Sequence, residues 1–180
     1  MGQSAVSAGL MEDVGDPAVL ALQNLEAIQE NDGLNASNWV ELSFKCTDLI
    51  NMDKSDGTKS DPYLVLYKKQ KDDSWKKVGN TEIIHDSLNP EFVTKIIVDY
   101  HFEEPELYKA EVWDSDDDKN IQANAVSQNM RDFQGSLEFL MHDVVTSEDQ
   151  LFERPLVSEI FAAGTTSAGR IFITAEQRSS

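Results

Sequence analysis

The feature that most restricts this chain is the alternation in "WVELSFKC", residues 39–46. Apolar Val40, Leu42, Phe44 and Cys46 interleave with Glu41, Ser43, Lys45 and Thr47, the period-two pattern of a strand with one face buried. Seven more short runs rich in β-branched or aromatic residues follow it: "YLVLYKK", "WKKVGNTEII", "FVTKIIVDYHF", "ELYKAEVW", "FQGSLEFLMHDV", "FERPLV" and "GRIFITAEQ". Clusters of Gly, Pro, Asn and Asp separate them. Eight strands with no helical period between them predict an all-β domain over residues 39–178, folded as an eight-stranded antiparallel β-sandwich.

Residues 1–38 read differently. Asp16 is placed to cap a helix, Pro17 suits its first turn, and Val19, Leu22, Leu25 and Ile28 recur at helical spacing before the stop signal Asn31 to Gly33. The spacing predicts one amphipathic helix over about 17–30. Its polar face holds Glu26 and Glu30 and no Lys or Arg, so packing on the domain or on a neighbouring chain is expected rather than a membrane-surface role. Gly2 invites comparison with an N-myristoylation signal, but Val6 stands where Ser or Thr belongs and Ser7 comes one place late. Neither a secretory leader nor a membrane span of ~20 apolar residues is expected. Cys46 has no cysteine to pair with, which predicts a buried thiol in a reducing, cytoplasmic compartment.

Charge narrows the partners. With 33 acidic and 15 basic residues the formal charge is -18, a field that repels nucleic acid and anionic lipid alike. An anionic partner needs a bridging cation.

If each strand crosses the sandwich once and reverses, the connections after strands one, three, five and seven share one end. Those after strands one and five are "INMDKSDGTKSDP" and "DSDDDKNIQANAVSQNMRD", with "HDSLNP" after strand three. With 18 aspartates in the chain, a D-x-D pattern means little by itself, and a single acidic loop is simply well solvated. Two converging at one rim is another matter. Carboxylate oxygens helped by backbone carbonyls are what a calcium ion takes, whereas magnesium prefers strict octahedra completed by water and phosphate. Zinc is not expected, because His85, His101 and His142 are scattered. An EF-hand beginning at Asp114 fails, with Lys119 where glycine is required and Ala125 where glutamate is. No nucleophile motif accompanies the acids, and "GTTSAG" lacks the spacing of G-x-S-x-G, so no enzyme is expected.

The stretches "MDKSDGTKSDPYLVLY", "VWDSD" and "RDFQG" resemble the aspartate loops of a C2 domain, over roughly Trp39 to Gln177. "NTE", "LNP" and "DYHFEE" together, with "AGRIFITAEQ" at the close, resemble more narrowly the first C2 domain of copines. The resemblance implies the type II connectivity, in which the extra strand comes last. It implies five calcium ligands, Asp53, Asp61, Asp114, Asp116 and Asp132, with the carbonyls of Met52 and Ser115. The first loop is about two residues longer than usual, so Asp56 competes with Asp53; the third is much expanded, which makes Asp117 or Asp118 substitutes for Asp132. Copines also carry a second C2 domain and a von Willebrand factor A domain, so the resemblance implies a fragment or a short relative.

The implied function is a calcium-dependent phospholipid-binding module that brings its parent protein from the cytoplasm to anionic membranes. Ions would reverse a repelling local field, and lipid headgroups would complete their coordination. Lys54 and Lys59 in the first loop stand ready to assist, each exposed cation adding ~1 kcal/mol near an anionic surface. Ile121, Val126 and Met130 in the third loop are candidates to enter the headgroup region. Lys68, Lys69, Lys76 and Lys77 form a second basic group, read either as a lipid site or as a solvated edge that resists aggregation. The competing reading is a calcium-independent protein-interaction C2 domain with a degenerate or structural metal site.

Overall fold

The computed structural model describes residues 16–29, 39–52, 57–115, 132–158 and 168–178, although not the side chains of residues 18 and 25–29. Helix α1 spans Pro17–Gln29. The strands are β1 (Trp39–Thr47), β2 (Pro62–Lys69), β3 (Trp75–Asn80), β4 (Ile96–Asp99), β5 (Leu107–Asp114), β6 (Phe133–Leu140), β7 (Leu151–Pro155) and β8 (Arg170–Gln177), with a short helix α2 (Met141–Val145) after β6. Two four-stranded sheets run in the orders β4-β1-β8-β7 and β3-β2-β5-β6, every pairing antiparallel. The last strand inserts beside the first, as the type II connectivity requires.

Alternation builds the core as expected. Val40, Leu42, Phe44 and Cys46 of β1 meet Leu64 and Leu66 of β2, with Tyr108, Ala110 and Val112 of β5 and Ile171 and Ile173 of β8 completing the interior. Fully burying an aliphatic side chain of this kind contributes about 1.5–3 kcal/mol. A second, smaller cluster of Tyr63, Val65 and Trp113 covers the outer face of the β3-β2-β5-β6 sheet, together with Tyr67, Ile83 and Phe133. Alternate residues of β2 therefore serve both clusters.

Three expectations need correction. The helix is present, but its docked face carries Leu20 and Asn24, while Leu22 is 55% exposed. It lies against β3 and β4, where Gly79 lets Asn24 approach so closely that a Cβ there would sit 2.5 Å from Asn24 Oδ1. The run "FQGSLEFLMHDV" ends as strand at Leu140 and turns into α2. Phe139, Met141 and Val144 are all buried, so a spacing of two passes into a spacing of three within one short run, and alternation hides the change. Finally, "FVTKIIVDYHF" is strand only over Ile96–Asp99. Upstream, the Val93 and Thr94 amides donate to the carboxylate of Glu82, at 2.7 and 2.9 Å, so they cannot serve a sheet ladder.

Candidate functional site

One end of the sandwich gathers three connections, and the sequence of each explains how. β1 leaves its sheet at Asp48, which adopts a left-handed conformation (φ 55°). The departing chain is stitched to "SLNP": the Cys46 amide donates to the Pro90 carbonyl, the Asp48 amide to Asn89 Oδ1, and the Leu49 amide to the Leu88 carbonyl. The first loop is closed at its base by Asn51 Nδ2 donating to the Thr58 carbonyl and by the Met52 amide donating to Ser60 Oγ at 2.8 Å. Ser60 and Gln134 are fully buried beneath it, and both donate to the Ile50 carbonyl. Gln134 can reach that carbonyl because the β5-β6 register skips it between Val112↔Gly135 and Trp113↔Phe133, a bulge of the kind that re-aims side chains beside functional sites.

Asp61 and Asp114, 53 residues apart in sequence, meet on this foundation. Pro62 pairs with Asp114 across β2 and β5. The Asp61 amide donates to Asp114 Oδ1 at 2.7 Å, and the Ser115 amide donates to the Asp61 carbonyl at 3.0 Å. Asp114 and Ser115 are buried, at 3% and 6% exposure, so the Asp114 carboxylate is held away from bulk water. From the β3-β4 connection, the Asp86 amide donates to Asp61 Oδ1 at 2.7 Å, and His85 Nδ1 lies 3.5 Å from Asp61 Oδ2. Asp132 immediately precedes β6, whose first residue pairs with Trp113 of β5, so it belongs to the same end.

The expected calcium ligands therefore divide. Asp61, Asp114, Ser115, Met52 and Asp132 sit at or beside this rim, and the first three are in direct contact through their backbones and carboxylates. Asp53 and Asp116, like the alternatives Asp56, Asp117 and Asp118, fall outside the described residues. So do Lys54 and the third-loop residues Ile121, Val126 and Met130. Among the described residues no group of three or more His, Cys, Asp or Glu is arranged to hold a metal. The groups that do meet are the Asp61 and Asp114 carboxylates, with the His85 nitrogen at their edge; carboxylate oxygens suit a hard cation better than zinc.

The lysines divide as well. Lys59 is exposed on the first loop, its amide donating to Asp86 Oδ1 at 2.7 Å. Lys69 and Lys77 project on the outer sheet face, opposite Trp75 and Tyr67 respectively. Lys68 and Lys76 pair with one another and project on the other face. There the Lys68 ammonium lies 3.3 Å from the buried carboxylate of Glu106, at the end of the sandwich away from the aspartates. Sequence spacing gives no sign of Lys109, which sits among the aromatics of the outer face, 4.6 Å from the Trp75 ring centre and 5.4 Å from that of Tyr67. Burial and the nearby Glu111 and Tyr63 push the Tyr67 hydroxyl up to about 12, so it stays a neutral donor beside these lysines.

The polar residues of "NTE" are all buried. Glu82 is 6% exposed and accepts from the Val93 amide, the Thr94 amide and, at 2.6 Å, the Thr94 hydroxyl. It ties together the two ends of the β3-β4 connection, the second loop of the rim.

The C2 domain family model matches residues 42–154. This chain belongs to the C2 domain family. The C2 domain is related to copines: Copine-A of Dictyostelium discoideum is 30% identical over 138 residues, covering 77% of this chain and 20% of its own length. Protein BONZAI 1 of Arabidopsis thaliana is 30% identical over 136 residues, covering 73% of this chain and 23% of its own. The chain thus spans about a fifth of the length of these relatives. Among solved structures, a C2 domain of plant Extended Synaptotagmin 1 superposes with a TM-score of 0.54 at 14% identity, covering 80% of this chain and 98% of that one, a likeness of fold. Among the described residues no helix is long and apolar enough to cross a membrane.

Proposed function

We propose that this C2 domain is a calcium-dependent phospholipid-binding module that recruits its parent protein from the cytoplasm to anionic membranes. The observation that carries the reading is the meeting of Asp61 and Asp114 at a rim where several connections converge, with the Asp61 amide on Asp114 Oδ1. Asp53, Asp61, Asp114, Asp116 and Asp132 supply carboxylates to the ions, and the Met52 and Ser115 carbonyls are further ligands. Without cations two neighbouring carboxylates repel by about 1 kcal/mol in water and by more where solvent is excluded, and the rim rejects anionic lipid. Bound calcium reverses that local field and leaves coordination positions for lipid phosphate or carboxylate. Lys54 and Lys59 add attraction at the same end, while Lys69, Lys77 and Lys109 offer a second cationic surface on the outer sheet face.

Calorimetric titration with calcium and co-sedimentation with anionic vesicles test this directly. Asp61→Asn and Asp114→Asn keep the acceptor oxygens that hold the loops but remove the charge; each should abolish calcium-dependent sedimentation. Undiminished sedimentation of both variants refutes their role. A wild-type chain that takes up no calcium at millimolar concentration points instead to a protein-interaction C2 domain, the reading that the pairing of Lys68 with Glu106 inside the fold also accommodates.

A further inference from the structure

Asp86 makes two hydrogen bonds that face opposite ways. Its amide donates to Asp61 Oδ1 at 2.7 Å, and its own Oδ1 accepts from the Lys59 amide at 2.7 Å. One residue of the second loop thus grips the first loop two residues before Asp61 and also grips the Asp61 carboxylate. It can do so because its backbone is left-handed (φ 54°), a conformation that aspartate tolerates better than most residues and that turns its amide toward β2. The same stretch is tied down on both sides, by the Ser87 amide on the Ser60 carbonyl of the first loop and the Ile84 amide on the Pro62 carbonyl of β2.

We infer that Asp86 is a positioning residue for the cation cup: by clasping the Lys59 amide it locks the two loops together, so that the Asp61 carboxylate is held in place at the rim. This rests on the calcium-binding reading above and assigns within it a residue that the aspartate pattern passes over. The Asp86 amide holds Asp61 Oδ1 and His85 Nδ1 lies 3.5 Å from Oδ2, so adjacent residues of the second loop touch both oxygens of the carboxylate that meets the ion. Asp86 acts through its acceptor oxygen, not through charge on the metal. The Asp86 amide is one hydrogen bond removed from the ion, a distance at which partners commonly carry roughly 10–100-fold in metal affinity, and the Oδ1 clasp is what fixes that amide in place.

The distinction between acceptor and ligand makes the inference testable with two substitutions. Asp86→Gly retains the amide and suits the left-handed backbone without steric cost, so it removes the clasp while sparing the fold. Asp86→Asn keeps an acceptor oxygen but no charge. Calcium affinity is measured by calorimetry at fixed pH and ionic strength, and exchange of the Lys59 amide by NMR. The expected result is calcium binding about tenfold weaker in Asp86→Gly with faster Lys59 exchange, and both properties close to wild type in Asp86→Asn. Affinity unchanged in Asp86→Gly overturns the positioning role while leaving the cup intact. Equal losses in Asp86→Gly and Asp86→Asn, with Lys59 still protected in the latter, overturn it by making Asp86 a direct charge on the ion. If the wild type binds no calcium, the cup itself fails and the role falls with it.

Discussion

Single residues in this domain are governed by whether their neighbours keep water away. Cys46 ends the inward row of β1, and burial pushes its thiol up to about 12. The unfolded thiol ionises near its ordinary value of about 8.5. The folded state therefore holds the proton more tightly, so the contribution of Cys46 to stability is complete below that ordinary value and is lost as pH rises from there toward about 12. Urea unfolding of wild type and Cys46→Ala between about pH 8 and 10 should show the difference between them falling by about 1.4 kcal/mol per pH unit above the ordinary thiol value. The native thiol should also resist aromatic disulfide reagents until the chain unfolds. Rapid modification in the native state would place Cys46 in water. Glu82 is the polar counterpart. Its removal in Glu82→Ala strands the buried Thr94 amide, at a cost of about 1–3 kcal/mol, and the same urea experiment should register a loss of that order.

At the scale of elements, what the sequence announces depends on how many residues a period has in which to show itself. β1 has nine residues of clean alternation, and its inward row is legible at once. The pairing of odd-numbered connections at one end follows from antiparallel reversal alone, and so the approach of Asp61 to Asp114 could be anticipated. By contrast α2 has five residues, too few for a helical repeat to separate from alternation. The docked face of α1 needs the absence of a side chain at Gly79, a residue of another element, and no periodicity within the helix carries that information. The basic cluster is divided by register, since β3 skips Val78 against β2 between Leu66↔Gly79 and Tyr67↔Lys77, so no residue count along one strand reveals which lysines share a face. Gly169 shows the same dependence on distant partners. It stands before β8 at φ 100°, where a Cβ would come within 2.7 Å of the Thr47 carbonyl and 3.0 Å of that of Asp48. Gly169→Ala combines a disfavoured backbone with a collision against β1 at its exit to the rim. It should lower the unfolding free energy by about 1–3 kcal/mol or more in urea titrations, and a neutral outcome would mean that β8 enters its sheet differently.

Over the whole molecule, charge acts in two ways that a single measurement confuses. The formal charge of -18 makes the folded state repel itself everywhere, and any salt relieves that by screening. On the proposed reading, a cation held by Asp61 and Asp114 acts at one place and by mass action, adding RT ln(1 + [L]/Kd), about 2.7 kcal/mol at a hundredfold excess over Kd. Holding ionic strength constant while exchanging sodium for calcium separates them. Under that exchange the wild-type Tm should rise, and the rise should saturate with calcium concentration. Asp114→Asn should lose it, because the variant keeps the oxygen that accepts the Asp61 amide and lacks the charge. Both proteins should still gain stability when sodium chloride alone is raised, since one charge in a field of this size barely alters the whole. A calcium-dependent rise that survives in Asp114→Asn at constant ionic strength would locate the ion elsewhere on this acidic surface.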